Sequence, residues 1–209
     1  YQDSLVSWFM KLRQIALGGG ILALAACSTQ LGIQNKANSA QFDRTKLPIA
    51  EPRPEKVTKV LPSEVPMPPQ WEVTAPADAP NVVIILLDDV GYAAPSAFGG
   101  VVNMPTAEKL AKDGLRYNKF HTTALCAPTR AALKSGRNHH KVNTGSIPEV
   151  ATGYAGNSTV VPDYAVPVAE ILRLNGYNTA AFGKWHETPG RETTAAGPQT
   201  RWPTRQGFE

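Results

Sequence analysis

The sequence is poor in cysteine and in charge, and it has no long apolar run. Two cysteines in 209 residues exclude a disulfide-stapled scaffold. Charged residues make up 18% of the chain, below the roughly 25% of an average soluble domain, and 21 basic against 17 acidic residues leave a net charge of only +4. That excludes a lysine-rich nucleic-acid-binding tail, and no nucleic-acid partner is expected. No tandem repeat is present, which excludes solenoids and propellers. A hydrophobic fraction of 42% excludes a wholly disordered chain. Two common motifs are missing as well. Trp185 follows Gly183-Lys184 where a phosphate-binding P-loop needs Ser or Thr, and no second histidine follows His186-Glu187 at zincin spacing. Acids are absent between Asp113 and Glu149, a stretch that holds Arg116, Lys119, Arg130, Lys134, Arg137 and Lys141 with His121, His139 and His140. Two readings of it stay open: an electropositive surround for Cys126 that attracts anionic substrates, or a solvated helix face.

What is present starts with an export pattern. From Met10 the chain reads as a basic stretch (Lys11, Arg13), an apolar run from Ile15 to Leu24, and small residues before Cys27. The run is about ten residues, half the ~20 needed to span a bilayer. Leu24-Ala25-Ala26-Cys27 resembles a bacterial lipobox, so residues 1–26 are expected to be a lipoprotein signal peptide with its true start at Met10. Cys27 is the expected lipidation site, and the protein an exported lipoprotein anchored to a membrane on the periplasmic or cell-surface side. Nine of the eighteen prolines fall between Gln34 and Pro80, and residues 27–80 read as a Pro-rich tether. The alternative is an arm that wraps onto the domain with Trp71 and Val73 as anchors. The start at Tyr1 and the end at Gly207-Phe208-Glu209 lead us to expect a fragment.

Residues 81–209 read as globular. Val82 to Leu87 is an unbroken apolar, β-branched run, the pattern of a strand buried on both faces of a parallel sheet. A helix is predicted over Thr106 to Lys112 with Thr106 as N-cap, a strand over Leu115 to Thr122, and helices over Pro128 to Ser135 and Val168 to Asn175, closed by Gly136 and Gly176. A second buried strand is predicted over Tyr177 to Phe182. This order predicts an α/β fold, a mostly parallel sheet with helices on both faces, whose ligands gather beyond the carboxyl ends of the strands.

At those ends stand the residues with chemistry. Asp88 and Asp89 are either a solvated turn or a pair whose repulsion a hard divalent cation offsets, calcium first and magnesium second. Cys126 precedes a helix whose amides favour an anion, and it is either a small apolar core residue or a thiolate paired with His121 or His186. Lys184 and His186 by themselves are loop residues.

Taken in order, Asp88-Asp89-x-Gly91-Tyr92, Cys126-x-Pro128-x-Arg130 and Gly183-Lys184-Trp185-His186 resemble the sulfatase family, over the N-terminal part of its catalytic domain. The resemblance implies an alkaline-phosphatase-like fold, truncated here at the C-terminus, and conversion of Cys126 to formylglycine by a formylglycine-generating maturation enzyme. It further implies calcium held by Asp88, Asp89 and residue 126, Arg130 on the hydrated aldehyde, Lys184 on the sulfate, and His186 on the formylglycine hydroxyl. The activity implied is hydrolysis of an aryl or carbohydrate sulfate ester. Lys134-Ser135 stands where many members have Leu-Thr, and Glu187 where leucine is common. Two rival functions remain: a phosphonate or phosphodiester monoesterase of the same superfamily, and a non-catalytic anion-binding surface lipoprotein. The 209 residues by themselves are expected to be inactive, because calcium takes roughly six to eight oxygen ligands and few are in hand.

Overall fold

The computed structural model describes residues 7–12, 42–53, 56–67 and 71–209. Most of the expected signal peptide, with Cys27, lies outside the described residues, and so does part of the expected tether. Among the described residues no helix is long and apolar enough to cross a membrane.

Two strands are present among the described residues. β1 (Ser7–Leu12) and β2 (Asn81–Leu86) form an antiparallel ladder in which Ser7 lies opposite Leu86 and Leu12 opposite Asn81. Three α-helices follow among the described residues, α1 (Pro105–Asp113), α2 (Cys126–Ser135) and α3 (Val168–Leu174), with 3-10 turns before α1, between α2 and α3, and after α3.

This arrangement overturns the expected alkaline-phosphatase-like α/β fold. Among the described residues there is no mostly parallel sheet and no helical layer on either side of one; regular structure is mainly helical. The apolar run at Val82 does form a strand, but Val82, Ile84 and Ile85 are 48%, 37% and 51% exposed rather than buried. The segments Leu115 to Thr122 and Tyr177 to Phe182 are irregular, and Phe182 is almost fully exposed. The cause is non-local. A β-branched run sets the local backbone preference, whereas ladder hydrogen bonds and sheet faces need neighbouring strands; among the described residues β2 has one on a single side and the other two segments have none.

The helices are where local signals predict them. Pro105 opens α1, a position that loses nothing by its missing N–H, so Met104 rather than Thr106 is the N-cap. The Met104 N–H donates to Ser96 Oγ at 2.9 Å, tying the helix start to the preceding 3-10 turn. α2 is closed by Gly136 in the left-handed region (φ 64), whose N–H returns to the Ala132 carbonyl. Its buried face (Ala127, Pro128, Thr129, Ala131) packs against the turn His139–Val142 and against α3. The core there is small: Ala131, Val142 and Ala165, with Val161 against them.

Gly176 ends α3 at φ 86, and a Cβ there would sit 2.4 Å from the Thr74 carbonyl carbon, so the glycine admits the chain of residues 73–75. Ala75 N–H donates to the Gly176 carbonyl, and Arg44 donates to the carbonyls of Asn175 (2.7 Å) and Thr74 (2.6 Å). Phe42 meets Trp71 edge to face at 5.2 Å.

Candidate active site

The end of β2, the start of α2 and the loop after residue 182 converge. Asp88 follows β2, and Lys184 Nζ donates to its Oδ2 at 2.8 Å while Arg130 Nη2 donates to Oδ1 at 3.3 Å. Arg130, one turn into α2, also donates from Nη1 to the Lys184 carbonyl at 2.7 Å. Three segments far apart in sequence are thus joined through one guanidinium. The Lys184 ammonium, and after it Arg130, holds the Asp88 carboxyl below its ordinary range; reciprocally Asp88, with Cys126 contributing, holds Lys184 above its own.

Cys126 occupies the first turn of α2, partly exposed, its Sγ 3.0 Å from His186 Nδ1. Of the two histidines weighed from sequence, His186 reaches the sulfur, and His121 is exposed. On the far side of the imidazole, Nε2 lies 2.9 and 3.0 Å from the two carboxylate oxygens of Glu149. Glu149 is held below the usual carboxylate range, first by its own backbone N–H and then by His186. Asp89 and His186 both adopt left-handed backbone, φ 55 and 56, a conformation that costs a non-glycine residue about 1 kcal/mol and concentrates at functional sites.

Trp185 anchors the segment that carries Lys184 and His186. Its Nε1 donates to the Arg201 carbonyl at 3.1 Å, its ring meets Phe208 edge to face, and the Lys134 ammonium stands 3.2 Å from its ring centroid. Lys134 also touches the buried carboxylate of Glu187. Burial, and secondarily the charge of Arg130, pushes the Lys134 amine down to about 6; contact with Glu187 works in the opposite direction. A small recess lined by Lys134, Trp185, Glu187 and Arg201 opens beside this pair, but none of its lining residues is Asp88, Cys126, Arg130, Lys184 or His186. Behind it, the fully buried Glu192 accepts from Arg201 Nη1 (2.7 Å), Arg201 N–H (2.8 Å) and Thr200 Oγ1 (2.9 Å).

Calcium does not fit the described residues alone. No group of three or more His, Cys, Asp or Glu side chains among them is arranged to hold a metal ion. The expected trio of Asp88, Asp89 and Cys126 is not assembled as a ligand set: both oxygens of Asp88 are taken by cations, Asp89 is exposed, and Cys126 faces an imidazole.

Sequence reasoning missed Glu149, although a signal existed, since Glu149 is the first acid after the acid-free stretch. It also noted Lys134 in the basic stretch, and Lys134 and Glu187 as separate departures from a family pattern, without seeing that they touch.

A protein-family model described as "Sulfatase" matches residues 80–209. An uncharacterized sulfatase of Schizosaccharomyces pombe is 34% identical over 144 residues, 65% of this chain and 24% of that protein. Human arylsulfatase A is 36% identical over 64% of this chain and 25% of its own length, and the arylsulfatase of Klebsiella aerogenes 32% identical over 54% and 25%. The chain therefore spans about a quarter of the length of these relatives. With the match covering most of its residues and the three motifs meeting in space, this chain belongs to the sulfatase family.

Proposed function

We propose that the chain carries the nucleophile end of a sulfuric ester hydrolase that cleaves an aryl or carbohydrate sulfate ester, with position 126 converted to formylglycine by a maturation enzyme. The observation that carries this reading is the convergence of two hydrogen-bonded sets drawn from three separate segments, Cys126 with His186 and Asp88 with Arg130 and Lys184, with Lys184 also interacting with Cys126. A hydrated aldehyde at 126 would supply two geminal hydroxyls: the oxygen of one attacks sulfur and displaces the alcohol, and loss of the proton from the other forms the C=O bond as the first C–O bond breaks and sulfate leaves, restoring the aldehyde.

The chain's own residues suit that chemistry. Arg130 and Lys184 bring two cationic donors to the start of α2 and the loop after residue 182, the kind of group a sulfate would meet there. His186 Nδ1, at 3.0 Å from the side chain at 126, is within reach to take or return a proton there. Calcium belongs to this reading only as an ion of the complete protein, to which Asp88 and Asp89 contribute hard oxygen donors from this chain. The lipobox pattern supports a further part of the reading, attachment to a membrane through a lipid on Cys27.

Mass spectrometry of the peptide containing Ala124 to Arg130, from protein made in its own host, tests the proposal. Formylglycine at 126 is the expected result. A free thiol throughout an active preparation would sink it.

A further inference from the structure

We infer that Glu149 is the positioning residue for His186, its carboxylate fixing the imidazole as the Nε2–H tautomer so that Nδ1 faces position 126 as a proton acceptor. The inference rests on the reading of position 126 as the nucleophile, and it adds a residue that none of the three motifs contains.

The argument starts from hydrogen-bond inventory. An ionised carboxylate only accepts, so the proton in the bond between Glu149 and His186 belongs to Nε2. A neutral imidazole carries one N–H; with Nε2 protonated, the Nδ1 lone pair is bare, and it points at Sγ of Cys126 from 3.0 Å. The hydrogen bond from its own backbone N–H helps keep the Glu149 carboxyl ionised. Both oxygens lie within 3.0 Å of Nε2, which fixes the ring plane as well as the tautomer. The supports on each side are structural. Glu149 sits in the 3-10 turn Pro148–Val150, closed by Val150 and Ala151 N–H groups, and His186 follows the anchored Trp185. Among the described residues no other carboxylate bonds to His186. The order nucleophile, imidazole, carboxylate is that of a nucleophile whose base is oriented by a third group. When the group at 126 gives up its proton, the bond from that proton to oxygen or sulfur breaks and an Nδ1–H bond forms; the resulting imidazolium stays paired with Glu149. Because the Glu149 side chain is 61% exposed, its effect comes from geometry at short range rather than from a buried field.

The test uses the full-length protein labelled with 15N-histidine, with the His186 signals assigned by their loss in His186→Gln. The expected wild-type result is the Nε2–H tautomer. Glu149→Gln replaces an acceptor by an amide that can donate to Nε2, so the Nδ1–H tautomer should gain population and kcat should fall about tenfold or more, with KM changed by less than about threefold. Glu149→Asp should restore the tautomer and part of kcat. An Nδ1–H tautomer in the wild type overturns the inference without any variant. So does a Glu149→Gln protein whose tautomer and kcat both match the wild type. If the wild-type protein hydrolyses no sulfate ester, the proposed function fails, while the tautomer measurement still decides the role of Glu149.

Discussion

Replacing Lys134 and Glu187, singly and together, should give strongly unequal costs. Side-chain exposure is 18% for Lys134 and 4% for Glu187, so each lies largely out of water and in contact with the other. Lys134→Leu leaves the Glu187 carboxylate buried without the amine that touches it, a class of change that costs about 3–5 kcal/mol. Glu187→Leu should cost less, about 1–3 kcal/mol, because an amine already pushed to about 6 can shed its proton at neutral pH and remain as a buried neutral group. The double variant removes both buried polar groups and fills the site with apolar side chains, so it should lie within about 1 kcal/mol of the wild type or above it. Urea unfolding of the full-length protein, followed by tryptophan fluorescence, reads all four corners of the cycle. The pH dependence has a definite sign. Between about 6 and 10.5 the unfolded chain holds a proton on Lys134 that the folded chain does not, so stability rises with pH across that window. Lys134→Leu should remove this rise. Additive single effects, agreeing with the double variant within about 0.5 kcal/mol, would refute the reasoning, because buried polar groups in contact must couple.

Other expected outcomes follow from the same geometry. Glu192→Gln should cost about 3 kcal/mol near neutral pH. Burial opposes ionisation of Glu192, but the bonds from Arg201 and Thr200 hold its carboxyl below the ordinary 4.5, so the wild type should lose that margin as pH falls through the acid range and the variant should not, as acid titration of unfolding will show. Asp88→Asn should lower the raised pKa of Lys184 and make its amine about two- to threefold more reactive toward an acylating reagent at pH 9 or so, a modest effect because the pair is partly solvated. Cys27→Ala should move the protein from the membrane fraction to the soluble one; continued anchoring would reject the lipobox reading.

The sequence made some of this legible for local reasons. The starts and ends of helices are written in a few adjacent residues, so Gly136 and Gly176 marked the ends of α2 and α3 correctly. The β-branched run at Val82 likewise marked β2. What it could not carry was partnership. The same run was read as the middle of a parallel sheet, yet its one ladder is antiparallel, because strand neighbours are chosen by distant chain. The acid-free stretch also divides in space: Arg130 and Lys134 stand at or beside the site, whereas Arg116 bonds the Ala97 carbonyl and Arg137 stacks over Tyr164. Its bracketing acid, Glu149, completes the histidine arrangement only because two loops 37 residues apart fold together.

The most direct measurement of the central claim compares an aryl sulfate with a phosphonate ester on full-length protein made with a formylglycine-generating system, conversion at 126 being confirmed first. The account predicts turnover of the sulfate ester in preference to the phosphonate, and its loss in Cys126→Ala with the fold retained. Preferential turnover of the phosphonate, or undiminished sulfate turnover by Cys126→Ala, would contradict it.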